Sequence, residues 1–361
     1  EEAEGWYRKS LVIEEGLGNR PGMASTYHQL GIVAQLRGRL EEAEEWYRKS
    51  LVIKEDLGNR PSMATTYHQL GTVAQEQGRL EEAEGWYRKS LVIEEGLGNR
   101  PGMASTYHQL GRVAQDRGRL EEAEGWYRKS LVIEEDFGNR PGMASTYHQL
   151  GMVAQLRGRL EEAEGWYRKS LVITEDFGNR RSMATTYHQL GMVAQNRGRL
   201  EEAEEWYGNS LAIKEGLGNH PGMATTYHQL GRVAQVRGRL EEAESWYRRA
   251  LAVTEGLENR PATAATYAQL GMLAGVRDDP TNALTWVIKC VALFDEVPHP
   301  RAGTGPEHLR FLTAHLGIEA VERAWLQQTG NPMPPAARAY ALTPPTDPPA
   351  DADTDAEETP S

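Results

Sequence analysis

The stretch Met23–Pro61, MASTYHQLGIVAQLRGRLEEAEEWYRKSLVIKEDLGNRP, is one copy of a unit that recurs every 40 residues from Glu1 to about Asp279. A fixed period of that length means an array of supersecondary units, each too small to bury its own apolar face and each completed by its neighbours. The unit reads as two helices. In the first, Met23, Tyr27, Leu30 and Ala34 fall at helical spacing on one side, with Val33 at the edge; Ser25, His28, Gln29, Ile32 and Leu36 fall on the other. The first side packs and the second is presented. Gly38 suits the left-handed residue that ends this helix, and the second helix runs from Leu40 to about Leu57, closed by Gly58-Asn59. Pro61 opens the next helix within its first turn, where a missing N–H costs nothing. Gly31 faces the second helix, and Ala43 is the small residue expected to meet it, so that the backbones approach closely.

Tyr27, Leu30, Gly31, Ala43 and Tyr47 match the large, Leu, Gly, Ala and aromatic positions of the tetratricopeptide repeat, which the chain resembles from roughly Glu1 to Phe294. The 40-residue period and the LGNRP connector look like the longer subtype found in kinesin light chains, Pins-type G-protein-signalling modulators and the helical-repeat sensor regions of bacterial signalling ATPases. Ser50 stands where the family usually has Ala, and Glu55 where the shorter subtype has Pro; the first is small and the second lets the helix run longer. The resemblance implies an all-α, right-handed superhelical solenoid of helix-turn-helix repeats whose first helices line a concave groove.

Comparison of the units within the chain singles out two columns on that groove. One reads Ile32, Thr72, Arg112, Met152, Met192, Arg232, Met272, and the other Leu36, Glu76, Asp116, Leu156, Asn196, Val236, Val276. They lie four residues apart on one helical face, and Arg112 and Asp116 read as a pair. Arg48 and Glu42, on the expected outer face, hardly vary, which points to specialisation of the groove. By the same resemblance, His28-Gln29 takes the place of an Asn-Asn pair that offers carboxamides to a bound peptide backbone in kinesin light chains. The equivalent pairs are His68-Gln69, His108-Gln109, His148-Gln149, His188-Gln189 and His228-Gln229. An amide that donates and accepts at once suits that part. The carboxylate-clamp variety of the repeat needs Lys on the groove helices, and none of the seven first helices contains one.

The histidines form a ladder with one ring per 40 residues, a row without the closely spaced ligands of a zinc site, so no metal is expected. The second helix carries Glu41, Glu42, Glu44 and Glu45, then Arg48 and Lys49, in favourable i,i+4 order. This reads as a solvated face. Trp46-Tyr47 recurs as a core aromatic pair rather than a ligand platform.

The ends depart from the pattern. Residues 1–17 form an orphan second helix, with Trp6, Tyr7 and Leu11 on a face left open to self-association; this reads as a fragment of a longer array. Seven pairs fill 18–296, the last starting near residue 262, with its second helix opening at Asp279-Pro280. Residues 297–330 hold a linker and two capping helices, with Leu309, Leu312, Leu316 and Ile318, Val321, Trp325 at helical spacing. The segment 331–361 carries eight of the 18 prolines and six acids, a composition of disorder.

Net charge is −12, and six of those charges sit in the last fifteen residues, which leaves no basic footprint for nucleic acid. No apolar run reaches membrane-spanning length, and the one cysteine, Cys290, takes the small packed position of Ser50 and suits a reducing, cytoplasmic setting. No Gly-rich phosphate loop, HExxH motif or nucleophile elbow is present, so neither enzyme chemistry, nor a cofactor, nor a small-molecule substrate is expected. The reading is a non-enzymatic scaffold that binds a peptide or helical segment of a protein partner in its groove. The alternative is the sensor arm of a larger signalling ATPase or other effector whose catalytic module lies upstream.

Overall fold

The computed structural model describes residues 2–294 and 296–345. These residues form α-helices in consecutive packed pairs, divided into two units between Asn179 and Arg180. The first unit holds α1 (Glu2–Leu17), α2 (Arg20–Leu36), α3 (Leu40–Asp56), α4 (Arg60–Glu76), α5 (Leu80–Leu97), α6 (Arg100–Asp116), α7 (Leu120–Asp136), α8 (Arg140–Leu156) and α9 (Leu160–Asp176). The second holds α10 (Arg180–Asn196), α11 (Leu200–Gly216), α12 (His220–Val236), α13 (Leu240–Gly256), α14 (Arg260–Val276), α15 (Pro280–Val291), α16 (Gly305–Leu316), α17 (Ile318–Thr329) and α18 (Pro335–Ala341). The fold is an all-α helical-repeat solenoid.

Punctuation of the chain follows its sequence. Gly38 and Gly58 turn the backbone at φ +70° and +63°, a left-handed geometry that other residues resist. Asn59 belongs to the next helix rather than to the end of the last. Its Oδ1 accepts from the Ser62 amide at 3.2 Å while Pro61 sits in the first turn.

Each core is shared between pairs. Ala34, Ala43, Tyr47 and Leu51 of one pair are buried together with Ala64, Tyr67, Leu70 and Val73 of the next, so no pair is complete alone. Val33 is half-buried, as its place at the edge implies, whereas its equivalents Val73, Val113, Val153, Val193 and Val233 are fully buried. Gly31 meets the Tyr47 ring rather than Ala43: a Cβ there would stand 2.6 Å from Tyr47 Cε1. The serine in the family's Ala position also does more than fill space. Ser130 Oγ donates to the Ala104 carbonyl at 2.8 Å, tying α7 to α6, and Ser50, Ser90 and Ser170 do the same in their pairs.

The acidic and basic residues of the second helices also join neighbouring pairs. Glu84 accepts from Arg88 at 2.8 Å on its own helix, and from Arg117 at 2.8 Å and Arg119 at 2.6 Å in the connector between α6 and α7. Burial works against ionisation of Glu84, yet the Arg119 and Arg88 hydrogen bonds hold its carboxyl below the usual range. Trp46 is half-buried and stacks on Tyr27 at 5.6 Å, with the Lys49 ammonium 4.4 Å from its ring centre.

The termini correct two expectations. In α1, Tyr7 and Leu11 are partly covered through packing on α2; the exposed residues are Trp6, Val12, Ile13 and Leu17. At the other end, α16 and α17 cover α15, with Leu309, Leu312, Val321 and Trp325 against Leu284, Val287, Ile288 and Val291. The chain expected to be disordered from residue 331 contains α18, whose Ala337 and Ala341 are buried in this same cluster. Two small side chains three to four residues apart give this short helix an apolar stripe despite the surrounding prolines. The rest of that expectation, 346–361, lies outside the described residues. Cys290 is fully buried and its thiol donates to the Ala302 carbonyl at 3.4 Å; burial pushes its pKa up to about 12. Among the described residues no helix is long and apolar enough to cross a membrane.

Candidate peptide-binding face

Two kinds of side chain share the unpacked stripe of each first helix. The histidines are not presented to solvent as the residue spacing suggests. The His108 ring lies 5.4 Å from the Tyr127 ring and its Nε2 is 3.3 Å from Ser145 Oγ of the next pair. His68 packs on Tyr87 at 5.2 Å and its Nδ1 is 3.2 Å from Thr106 Oγ1; His28 packs on Tyr47 at 5.2 Å with Thr66 at 3.4 Å. His148 sits against Tyr167 at 5.3 Å, and in the second unit His188 and His228 pack on Tyr207 and Tyr247. Burial pushes the imidazoles down, to about 3 for His188 and about 4 for the other five. The ladder is a set of neutral rings, each packed on a tyrosine of its own pair, and His28, His68, His108 and His188 also lie beside a hydroxyl of the next pair.

The variable columns remain accessible. Arg112, Asp116 and Glu76 are exposed, as are Arg232 and Asn196, and Leu36, Leu156, Val236 and Val276 are 83%, 61%, 59% and 64% exposed. Ile32, Met152, Met192 and Met272 are half-buried. Thr72 turns inward, with Oγ1 3.1 Å from Tyr87 Oη. Arg112 and Asp116 do not pair. Arg112 donates to Gln109 Oε1 at 3.3 Å, whereas Asp116 accepts from Gln75 Nε2 at 2.9 Å, just as Glu76 accepts from Gln35 at 3.0 Å. A glutamine near the end of one first helix thus reaches the acid on the next, a link over 41 residues that no single-helix pattern contains.

Toward its N-terminus the same stripe borders a cavity of about 420 Å3, lined on α6 by Pro101, Ser105, His108 and Gln109, on α7 by Ile133 and Glu134, and on α8 by Ser145. Glu134 belongs to a second-helix column that sequence reasoning passed over: Glu14, Lys54, Glu94, Glu134, Thr174, Lys214, Thr254. Its signal was present, since its charge changes from unit to unit while neighbouring columns stay fixed. Among the described residues no cluster of three or more His, Cys, Asp or Glu side chains is arranged to hold a metal.

The tetratricopeptide repeat model matches residues 1–56, 22–93, 62–135, 102–176, 182–256 and 224–296, and the chain belongs to that family. Among solved structures it is similar to BtubC (BKLC) from P. vanneervenii, at 21% identity and TM-score 0.54 over 61% of this chain and 90% of that one. It is also similar to a signal transduction ATPase with numerous domains from Pyrococcus horikoshii that carries a tetratricopeptide repeat sensor, at 14% identity and TM-score 0.66 over 91% of this chain and 53% of that one. A third likeness is to the apo quorum sensor NprR from B. thuringiensis, at 12% identity and TM-score 0.61 over 79% and 81%. At these identities the likeness is one of fold. A comparison with curated proteins finds no match.

Proposed function

We propose that this chain is a protein-interaction scaffold that binds a peptide or helical segment along the unpacked stripe of its first helices, without catalysis. The observation that supports the reading is that two columns of that stripe, those of Ile32 and Leu36, change between otherwise near-identical units, and that the Leu36 column is exposed throughout while the Ile32 column is half-buried or exposed. Gln29-type amides supply backbone capture, apolar side chains such as Leu36 and Leu156 anchor, and Arg112 and Arg232 select acidic groups. The half-buried methionines accept several shapes. A sensor arm within a larger signalling protein would use the same face, and the complete reading frame decides between the two roles. A cytoplasmic setting agrees with the single buried thiol.

Peptides selected from a random display library against the full chain supply the test. Arg112→Glu and Arg232→Glu should each weaken the selected acidic peptides at least tenfold and leave helicity intact. Outer-face arginines make poor controls, because Arg128 bridges Glu124 and Glu162 of successive pairs. Val132, 57% exposed on the same outer stripe, serves instead. Equal weakening by Val132→Glu would assign binding to the opposite side.

Self-association has a surface of its own in α1, where Trp6, Val12, Ile13 and Leu17 are 62–76% exposed. Sedimentation should show reversible association with rising concentration, reduced by Trp6→Glu with Ile13→Glu. A concentration-independent monomer would remove this expectation.

A further inference from the structure

The cavity over Glu134 has a built floor. Glu134 is 6% exposed; its Oε1 accepts from Ser130 Oγ at 3.2 Å, and its Oε2 is buried without a well-formed hydrogen bond, with the equally unpartnered Thr146 hydroxyl as the one other protein donor near the carboxylate. A buried carboxylate oxygen without a well-formed hydrogen bond is costly, and a ligand that supplies one relieves that cost. The surrounding groups select the kind of donor. No Lys or Arg lines the cavity; its polar lining consists of hydroxyls, amides and the imidazole of His108, kept neutral by burial. Ile133, Phe137 and Pro101 offer apolar wall to an aliphatic stem.

Two comparisons within the chain bear on the same point. Where the floor residue is lysine, the ammonium is seated internally: Lys54 Nζ and Lys214 Nζ donate to Thr66 and Thr226, each at 2.7 Å. This seam therefore accommodates a cation. Where the floor residue is glutamate, the facing residue on the next helix is always glycine, as in Glu14 with Gly22, Glu94 with Gly102 and Glu134 with Gly142. A Cβ on Gly142 would run into Asn139 Nδ2 and stand 2.9 Å from Glu134 Oε1, so glycine leaves room for both the capping amide and the carboxylate, as Gly222 does for the cap beside Lys214. The threonines Thr174 and Thr254 face Ser182 and Ala262 instead.

We propose that this cavity receives a basic side chain of the bound partner, a lysine or arginine whose stem lies along Ile133 and Phe137 and whose cationic head bonds Glu134 Oε2. The inference deepens the groove reading, because the cavity opens on the same α6 stripe as Arg112 and Asp116. The partner segment thus carries a basic residue here and an acidic one near Arg112.

The test uses small probes, so that it stands apart from peptide selection. N-acetyl-lysine methylamide and its arginine counterpart are titrated into the full chain while the methyl signal of Ile133 is followed by NMR. Both should give a saturable shift that N-acetyl-norleucine methylamide, with the same stem and no charge, does not reproduce. Glu134→Thr, which copies Thr174 and is thereby compatible with the fold, should weaken the lysine probe at least tenfold. Equal response to norleucine, no saturable shift, or undiminished binding in Glu134→Thr would each overturn the proposal. Binding of the amine probes alongside a failed peptide selection would remove the groove reading and leave the cavity; the converse would remove the cavity alone.

Discussion

Replacing Gly111 by alanine should lower the stability of the array, as should the same change at its equivalents Gly31, Gly151, Gly191 and Gly231. The added Cβ would stand 2.6 Å from Cε1 and 2.7 Å from Cδ1 of Tyr127, inside any real carbon contact. Tyr127 has no room to withdraw, since it is 0% exposed, its hydroxyl donates to Gln115 at 3.1 Å, and His108 packs on its ring. Overpacking of this kind costs about 1–3 kcal/mol, and valine at the same place should cost more. Gly125 is the matched control. It is also helical, with nothing within 4 Å of an added Cβ, so alanine there should be neutral or stabilising by about 0.5–1 kcal/mol. Gly271 provides a gradient, because it faces Val287 Cγ2 at 3.0 Å rather than a tyrosine ring, and its alanine variant should cost less. Denaturant midpoints measure all three. A Gly111→Ala midpoint at or above wild type would mean that the close approach of the two helices is not fixed by this contact.

Acid should destabilise the array well before ordinary carboxylates titrate. The six ladder histidines are held to about 3 or about 4 by burial, against about 6.5 for an unfolded imidazole. Between those values the unfolded chain binds more protons than the folded one, so stability is complete above about pH 6.5 and falls as pH drops toward 4. At pH 5 each half-buried ring accounts for about 1–2 kcal/mol of that loss. Glu94 and Glu134 act in the opposite sense, since burial raises them and protonation then favours the folded state, but they are two against six. Arginine-bonded carboxylates such as Glu84 and Glu124 are lowered and add a further loss at still lower pH. The denaturant midpoint at pH 5 should lie clearly below that at pH 7.5, and His108→Asn should shrink the difference. A flat profile between those two values would contradict the buried, neutral ladder.

Much of the fold is local, and for that reason legible in the sequence. Gly38, Gly58 and Pro61 mark helix ends through backbone preferences that act within a few residues, and the apolar pattern of Leu309, Leu312, Val321 and Trp325 shows the cap. What escaped lies between helices. Helical spacing places His28 on the unpacked side, but a long ring reaches back over Tyr47, nineteen residues away and across the pair. Spacing pairs Gly31 with the small Ala43, whereas the close approach is set by a glycine against the Tyr47 ring. Glu84 and its two connector arginines, 33 and 35 residues on, look like surface charge until the next pair is stacked beside them. The Glu134 column was hidden because its side chains point into the seam, where charge is not expected.

The most direct test of the account is where a bound peptide lies. A photo-reactive amino acid placed at 112 or 152 on the first-helix stripe, or at 92 or 132 on the exposed outer stripe of the second helices, is irradiated in the presence of a library-selected peptide. The account predicts peptide adducts from 112 and 152 and none from 92 and 132. Adducts confined to 92 and 132 would contradict it.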